Sequence, residues 1–175
     1  MGLVIGASLL LAACGQRGFL GCRNVIAFSF QDAVFNTELV SNRLLYAVDP
    51  YNNAAYAYLV LEAFGDDGSS FYLELTDFSN SGFGNCIPEG PLYANETLNF
   101  CLPGVPFACN GFYALFTDAE GNEYVQTGGT GQVVVNTCDP QNQRITGNFT
   151  FAMEDFDSGD QGLLTGGSFA VCFAL

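Results

Sequence analysis

The chain has 175 residues, of which 49% are hydrophobic and 17 are phenylalanine, and its net charge is −14. This composition is typical of a globular protein, and the length suits one domain with a proper core. The 18 acidic residues are opposed by four arginines and no lysine, so the surface would repel phosphate backbones. We therefore predict one acidic domain that binds no nucleic acid.

The first segment is an apolar run over residues 2–13, which is too short to span a bilayer but has the length of a signal-peptide core. It ends in Leu11-Ala12-Ala13-Cys14, which matches the lipobox that signal peptidase II reads in bacterial lipoproteins. No Lys or Arg precedes the run, so we expect the true start upstream. The pattern predicts cleavage before Cys14, with a diacylglycerol on its thiol and an acyl chain on its amine.

This opening sets the expected organisation of the chain. Residues 1–13 are predicted to be a lipoprotein signal peptide, residues 14–23 a tether and residues 24–175 a single β domain. Two or more buried acyl chains anchor a protein stably, at about 0.8 kcal/mol per CH₂. We therefore expect an exported protein held in the bacterial outer membrane by a lipid on Cys14. The residues after Cys14 leave the periplasmic and surface faces as alternatives.

Most of the remaining chain has the period-two alternation of half-buried strands. Residues 54–64 indicate a more central strand, and alternation follows in residues 69–78, 111–118, 131–138, 143–153 and 167–173. Clusters of Gly, Asp, Asn and Pro predict turns at residues 65–70, 117–124, 127–131, 138–144, 154–162 and 164–168. Short strands at this spacing predict an all-β fold, either an antiparallel β-sandwich or a barrel.

One strand makes the expected two faces explicit. In residues 143–153 the first face carries Ile145, Gly147, Phe149, Phe151 and Met153, and polar residues occupy the other. Side chains at alternate positions of a strand point to opposite sides of its sheet. We therefore predict that this first face is buried in the core.

Residues 79–111 form the exception to the strand pattern, because they are rich in Gly, Pro and Asn and hold three of the seven cysteines. We predict a cysteine-rich irregular loop region with room for one short strand. If Cys14 carries lipid, six cysteines remain for three disulfides, which persist outside a reducing cytosol. These candidates are Cys22, Cys86, Cys101, Cys109, Cys138 and Cys172. The bend between Cys101 and Cys109 favours that one pair and leaves the other pairings open.

The residue types that are missing limit the chemistry. Without histidine or lysine, His-dependent triads, Schiff-base chemistry and phosphate-binding P-loops are excluded. The spacing of the cysteines gives zinc no support. A carboxylate pair of the glycosidase type stays open, with Glu62 and Glu74 as candidates, although a strand's solvent face explains both better. We predict no catalytic residue, no cofactor and no enzymatic activity.

An acidic cluster in the predicted turn 154–162 raises the question of a metal ion. Calcium takes about six to eight oxygen ligands, often from loops with acids at alternate positions and a glycine at the bend. Asp155, Asp157 and Asp160 are weak calcium candidates, but glycine and acid are transposed relative to the EF-hand pattern. The cluster also lies between two good strands, and a plain hairpin turn is the favoured reading.

A second candidate for binding is a group of tyrosines. Tyr46, Tyr51, Tyr56 and Tyr58 lie close together in the sequence, beside Asp and Asn. Exposed tyrosines of this kind would stack on a sugar or a peptide, whereas buried ones would fill or cover the core. We treat these four residues as candidate ligand-binding aromatics.

The C-terminal third carries a recognisable succession of motifs. Gly129-Thr130-Gly131 precedes Val133 and Val135, Arg144-Ile145 precedes Gly147, Phe149 and Phe151, and Gly167 precedes Phe169 and Val171. This succession resembles the C-terminal part of a family of small all-β lipoproteins of Bacteroidota that have no assigned activity. The resemblance covers residues 113–173 well and residues 24–80 loosely. It implies an all-β envelope lipoprotein and offers no catalytic residue.

Taken with the lipobox, these patterns favour a non-catalytic envelope lipoprotein. Its role would be to bind an envelope protein or glycan, or to serve a structural purpose at the outer membrane or cell surface. The alternative is a small-ligand carrier of β-barrel type. A carboxylate-only glycosidase is the less favoured third possibility.

Overall fold

The computed structural model describes residues 23–48, 55–77, 90–93, 111–139 and 141–173. The predicted signal peptide, the tether up to residue 22, Cys14, Tyr51 and most of the loop region 79–111 lie outside these ranges. The described residues form strands β1 (Val25–Phe30), β2 (Ala33–Thr37), β3 (Val40–Val48), β4 (Ala55–Phe64), β5 (Ser70–Asp77), β6 (Gly90–Tyr93), β7 (Gly111–Thr117), β8 (Glu123–Asp139), β9 (Arg144–Asp155) and β10 (Gln161–Cys172). Within the same ranges, no helix is long and apolar enough to cross a membrane.

All of these strands belong to one antiparallel sheet. Its order is β2-β1-β10-β9-β8-β7-β5-β4-β3, and β6 pairs with β8 beside this path. β6 lies against the second half of β8, with Gly90 opposite Val135, while β7 lies against the first half, with Thr117 opposite Glu123. The predicted all-β class is confirmed, and its form is a single sheet that is nearly closed into a barrel rather than two stacked sheets.

The two ends of the sheet are joined by a few hydrogen bonds. The amide of Phe64 donates to the carbonyl of Leu39 at 3.0 Å, and the Thr37 hydroxyl donates to the carbonyl of Phe64 at 2.7 Å. At the start of β1, the Asn24 side chain donates to the carbonyl of Val40 at 3.2 Å. These bonds bring β1 and β2 to β3 and β4, and so close the sheet around one core.

The core is built from the alternate residues that the sequence pattern selects. On β9 the inward side chains are each no more than 3% exposed: Ile145, Phe149, Phe151 and Met153. Asn148, on the opposite face of the same strand, is exposed. The same alternation buries Phe71, Leu73 and Leu75 on β5, and Phe169, Val171 and Phe173 at the end of the chain. The predicted inward face of residues 143–153 is therefore confirmed.

Two predicted turns are wrong, because both lie inside long strands. Residues 127–131 belong to β8 and residues 164–168 belong to β10, and each contains a shift in the pairing register. Gly131 has a φ of 124° and Gly166 a φ of 60°, conformations that an L side chain rarely adopts. The glycines thus form β-bulges that bend the strands without terminating them. A sheet that closes towards a barrel requires such bends.

The sequence pattern assigned no strand before residue 54, yet β1, β2 and β3 lie there. β1 alternates cleanly, with Ile26, Phe28 and Phe30 buried, so its signal was present. β2 has only five residues, and β3 has no clear alternation. In the region 79–111, β6 supplies one short strand, as its sequence allowed.

Candidate binding cavity

Four hairpin turns meet at one end of the barrel. They are residues 31–32 between β1 and β2, 65–69 between β4 and β5, 118–122 between β7 and β8, and 156–160 between β9 and β10. Neighbouring turns are tied together, since the Phe156 amide donates to the carbonyl of Glu123 at 2.9 Å. The turns carry Asp32, Asp66, Asp67, Asp118, Glu120, Asp157 and Asp160. We call this region the acidic end.

A cavity of about 470 Å³ opens at the acidic end. Its walls come from the turn and strand at residues 31–35, from the β4–β5 turn and from the β7–β8 turn. Val34 is 77% exposed and adds an apolar side chain at its edge. Small-molecule sites usually have volumes of about 300–1,000 Å³. We refer to this feature as the mouth cavity.

Five aromatic side chains form the floor of the mouth cavity: Phe28, Phe30, Phe35, Phe116 and Tyr124. Phe28 stacks on Phe35 with ring centroids 4.7 Å apart, and Phe30 meets the edge of Tyr124 at 4.8 Å. Each of the five is no more than 8% exposed. Because the rings brace one another, the floor is a preformed apolar surface.

Four carboxylates line the mouth cavity: Asp32, Asp67, Asp118 and Glu120. Asp118 accepts hydrogen bonds from the amides of Glu120 and Asn122 at 3.0 and 2.8 Å, and from the Tyr124 hydroxyl at 3.3 Å. Burial opposes ionisation of Asp118, but these bonds outweigh it and lower its pKa. Asp67 accepts from the hydroxyl and amide of Ser69, which lowers its pKa. Both groups are therefore negative at neutral pH.

The other two carboxylates are not held in this way. Within the described part of the chain, neither the Asp32 nor the Glu120 side chain takes part in a hydrogen bond or an ion pair, and both residues are exposed. None of the described arginines lines the cavity. Arg23 pairs with Glu38, Arg43 lies 3.8 Å from Glu62, and Arg144 begins β9 at the opposite end. The field at the mouth cavity is thus negative.

The predicted carboxylate pair lies elsewhere, away from the cavity. Glu62 and Glu74 stand on β4 and β5, at positions that alternate with the buried leucines. The Tyr72 hydroxyl donates to Glu74 at 2.7 Å, and Glu62 is opposite Tyr72 in the register. Burial, and then the hydrogen bond to Glu74, raise the pKa of Tyr72. The two glutamates therefore surround a tyrosine on the outer face of the sheet.

The weak calcium candidates lie in the β9–β10 turn. Asp155 accepts from the amides of Asp157 at 3.0 Å and Ser158 at 2.6 Å, and the Asp160 amide bonds the Ser158 hydroxyl. The hydrogen bond from the Ser158 amide is the main cause of the lowered pKa of Asp155. Among the described residues, no three acidic or cysteine side chains are grouped to hold a metal ion. The cluster forms a hairpin turn.

Backbone pairing places three of the candidate tyrosines on neighbouring strands. Tyr46 on β3 is opposite Ala57 on β4, so it stands between Tyr56 and Tyr58 in the register. This part of β3 and β4 is at the ends of the strands remote from the 65–69 turn. The tyrosine group and the mouth cavity are therefore two separate regions.

Two of the disulfide candidates stand at strand ends. Cys138 is opposite Ile145 on β9, and Cys172 is opposite Arg144 on the other side of β9. Strands two positions apart are about 9.6 Å from each other, beyond the reach of about 7 Å that a disulfide allows between Cα atoms. The geometry therefore excludes a bond between Cys138 and Cys172.

The sequence alone does not indicate the mouth cavity. Its residues come from strands and turns separated by up to 96 positions, from Phe28 to Tyr124, and only the sheet order unites them. The one available signal was the alternation of Phe28 and Phe30 with an acid-containing turn directly after them. Comparisons with protein-family models, with curated proteins and with solved structures found no match.

Proposed function

We propose that this protein is a non-catalytic lipoprotein of the bacterial cell envelope, with a lipid on Cys14 that holds it in the outer membrane. The observation that carries the proposal is Leu11-Ala12-Ala13-Cys14 at the end of a signal-type apolar run. The resemblance to the small lipoproteins of Bacteroidota agrees with it. An outer-membrane location, periplasmic or surface-facing, follows from such an anchor.

The cysteine content supports the same location. With Cys14 lipidated, six cysteines remain, and we propose that they form three disulfides. Such bonds are compatible with the periplasm or the cell surface, and not with a reducing cytosol.

The role that we propose for the barrel is binding, by way of the mouth cavity. This cavity combines a braced aromatic floor, a negative lining and a suitable volume. An envelope protein or glycan is the expected kind of partner. The carrier alternative receives less support, because Phe112, Phe151, Leu73 and Leu75 fill the interior of the barrel with essentially no exposure.

The test compares wild-type protein with Cys14→Ser and with Cys22→Ser as a matched cysteine control. Wild type and Cys22→Ser should partition with membranes, require detergent for extraction and take up labelled palmitate. Cys14→Ser should do none of these. The N-terminal peptide of the mature wild type should begin at Cys14 and carry the mass of the lipid. A mature protein that retains Met1 and has an unmodified Cys14 would contradict the proposal.

A further inference from the structure

We infer that the mouth cavity binds a small organic cation, that is, an ammonium or guanidinium group attached to an apolar body. The inference rests on the proposed binding role, and it names the chemical class of the group that the envelope protein or glycan would present to the cavity.

The mouth cavity is divided into two chemically different parts. The floor is made of Phe28, Phe30, Phe35 and Phe116, with Tyr124 beside them, and the exposed Val34 extends the apolar surface at the edge. The carboxylates stand around this surface in three different turns. A ligand that satisfies both parts therefore has an apolar portion and a polar, positively charged portion.

The charge of the mouth cavity favours a cationic ligand. The lining holds four carboxylates and no described arginine, and the whole chain has a net charge of −14 without any lysine. An anionic ligand would be repelled. A neutral apolar ligand would displace water from ionised carboxylates without replacing the lost interactions, which is costly. A cation is attracted by the field and also interacts favourably with aromatic rings.

Two of the four carboxylates are better placed than the others to meet the cation. Asp67 and Asp118 already accept several hydrogen bonds in their own turns. Asp32 and Glu120 are engaged in no hydrogen bond or ion pair of the described residues, and they belong to turns on different walls of the cavity. These two side chains are free to receive an ammonium or guanidinium group between them.

The same facts disfavour a metal ion. Calcium requires about six to eight oxygen ligands, whereas no three acidic side chains among the described residues are grouped for a metal. The floor offers rings in place of oxygens. The volume of about 470 Å³ is that of a small-molecule site, so the cavity would take up the cationic group that an envelope partner presents rather than a large protein surface.

The experiment uses the full chain with Cys14→Ser, so that no lipid or detergent competes for the probes. Three probes share one apolar body and differ in charge: phenethylammonium, phenethyl alcohol and phenylacetate. Binding is measured by saturation-transfer NMR and by titration of backbone amide shifts at low salt. We expect phenethylammonium to bind most tightly, phenylacetate not at all, and the shifted amides to include those of Val34, Ala119 and Tyr124.

Charge-neutralising variants make the test specific. Asp32→Asn and Glu120→Gln should each weaken phenethylammonium about two- to five-fold, the range expected for one partly exposed ion pair. Asp139→Asn removes one charge at the opposite end of the barrel and should leave the affinity unchanged. High salt should weaken the ammonium and spare the alcohol. Melting curves of each variant establish that the barrel is folded.

Three results would overturn the inference: equal binding of the ammonium and the alcohol, equal effects of Glu120→Gln and Asp139→Asn, or no binding of any probe up to its solubility limit. The readout is independent of membrane attachment. If wild-type protein is lipidated on Cys14 but phenethylammonium does not bind, only the ligand class is wrong. If the probe binds but Cys14 is unmodified, the envelope-lipoprotein proposal is wrong.

Discussion

The ring of Phe149 on β9 lies directly over the backbone of Gly167 on β10, its partner in the antiparallel register. A Cβ atom at residue 167 would clash with the carbon atoms on one side of this ring. The reciprocal pair, Phe169 of β10 and Gly147 of β9, repeats the arrangement one step along the same strands. An aromatic ring that covers a glycine of the next strand replaces the missing side-chain packing. The motifs of the C-terminal third are thus the two halves of interlocking pairs.

Gly167→Ala should therefore destabilise the protein by about 1–3 kcal/mol, since an added methyl group overpacks a fixed ring. The neighbouring Ser168→Ala, on the exposed face, should change stability by no more than about 0.5 kcal/mol. In a Phe149→Leu background, the penalty for Gly167→Ala should shrink, because a smaller side chain can yield. Denaturant unfolding of wild type, Gly167→Ala, Phe149→Leu and the double variant gives a double-mutant cycle. If the effects of the two substitutions on the free energy of unfolding were additive, the ring would not restrain residue 167.

The β7–β8 turn depends on Asp118, whose carboxylate is bonded to Glu120, Asn122 and Tyr124. Asp118→Ala should lower stability at neutral pH by about 1 kcal/mol, the usual net value of such bonds. Because these bonds lower the pKa of Asp118 in the folded protein, its contribution is present above the ordinary aspartate pKa and is lost as pH falls through the folded value.

The difference in melting temperature between wild type and Asp118→Ala should accordingly become smaller at pH values below the ordinary pKa of aspartate. Asp118→Asn is the control, because its side-chain oxygen can still accept the backbone bonds of the turn. The melting temperature of Asp118→Asn should lie between those of wild type and Asp118→Ala. A difference between wild type and alanine that widens on acidification would contradict this account.

Tyr72 should ionise at a higher pH than an ordinary tyrosine, because burial and the hydrogen bond to Glu74 raise its pKa. Glu74→Gln should lower the pKa of Tyr72 by more than Glu62→Gln does, since Glu62 acts on Tyr72 through charge alone. Tyrosinate absorbance against pH measures both. A raised folded pKa also means that Tyr72 contributes stability below the ordinary tyrosine pKa, and that this is lost as pH rises. Equal effects of the two glutamine variants would contradict the role of the hydrogen bond.

The strand registers also lead to a disulfide prediction. Val25 is opposite Ala170, so an extension of this register places residue 23 opposite Cys172, next to Cys22. Gly90 is opposite Val135, and in the sequence Cys86 lies four residues before Gly90 and Cys138 three residues after Val135. We expect Cys22–Cys172 and Cys86–Cys138, which leaves Cys101 for Cys109, the pair that the sequence favours.

Non-reducing peptide mapping by mass spectrometry would identify these links directly, and thiol titration of the denatured protein should find no free thiol in the mature chain. Each link typically stabilises by about 2–4 kcal/mol, so reduction should lower the melting temperature strongly. Proteolysis after reduction should begin in residues 79–111 before it reaches residues 145–153 or 168–173. A Cys22 linked to Cys86, or two free thiols, would refute the scheme.

The sequence by itself determined the fold class and much of the core. A strand exposes its alternate residues to two different environments, so Phe149, Phe151 and Met153 are legible as core residues without any knowledge of their partners. The excess of acid and the lack of histidine and lysine are likewise properties of the composition. They limit the chemistry whatever the fold.

The tertiary structure decided everything that depends on which strands are neighbours. Whether a Gly-rich segment such as 127–131 is a turn or a bulge depends on whether its flanks pair with each other or with a third strand, and here β9 runs along both flanks. The mouth cavity has the same origin. Asp32 and Glu120 are far apart in the chain and meet at one cavity only because the sheet curls until β1 and β2 approach the turns of β4–β5 and β7–β8. Local sequence patterns do not indicate this closure, because it depends on long-range strand pairings and on bends along the whole sheet.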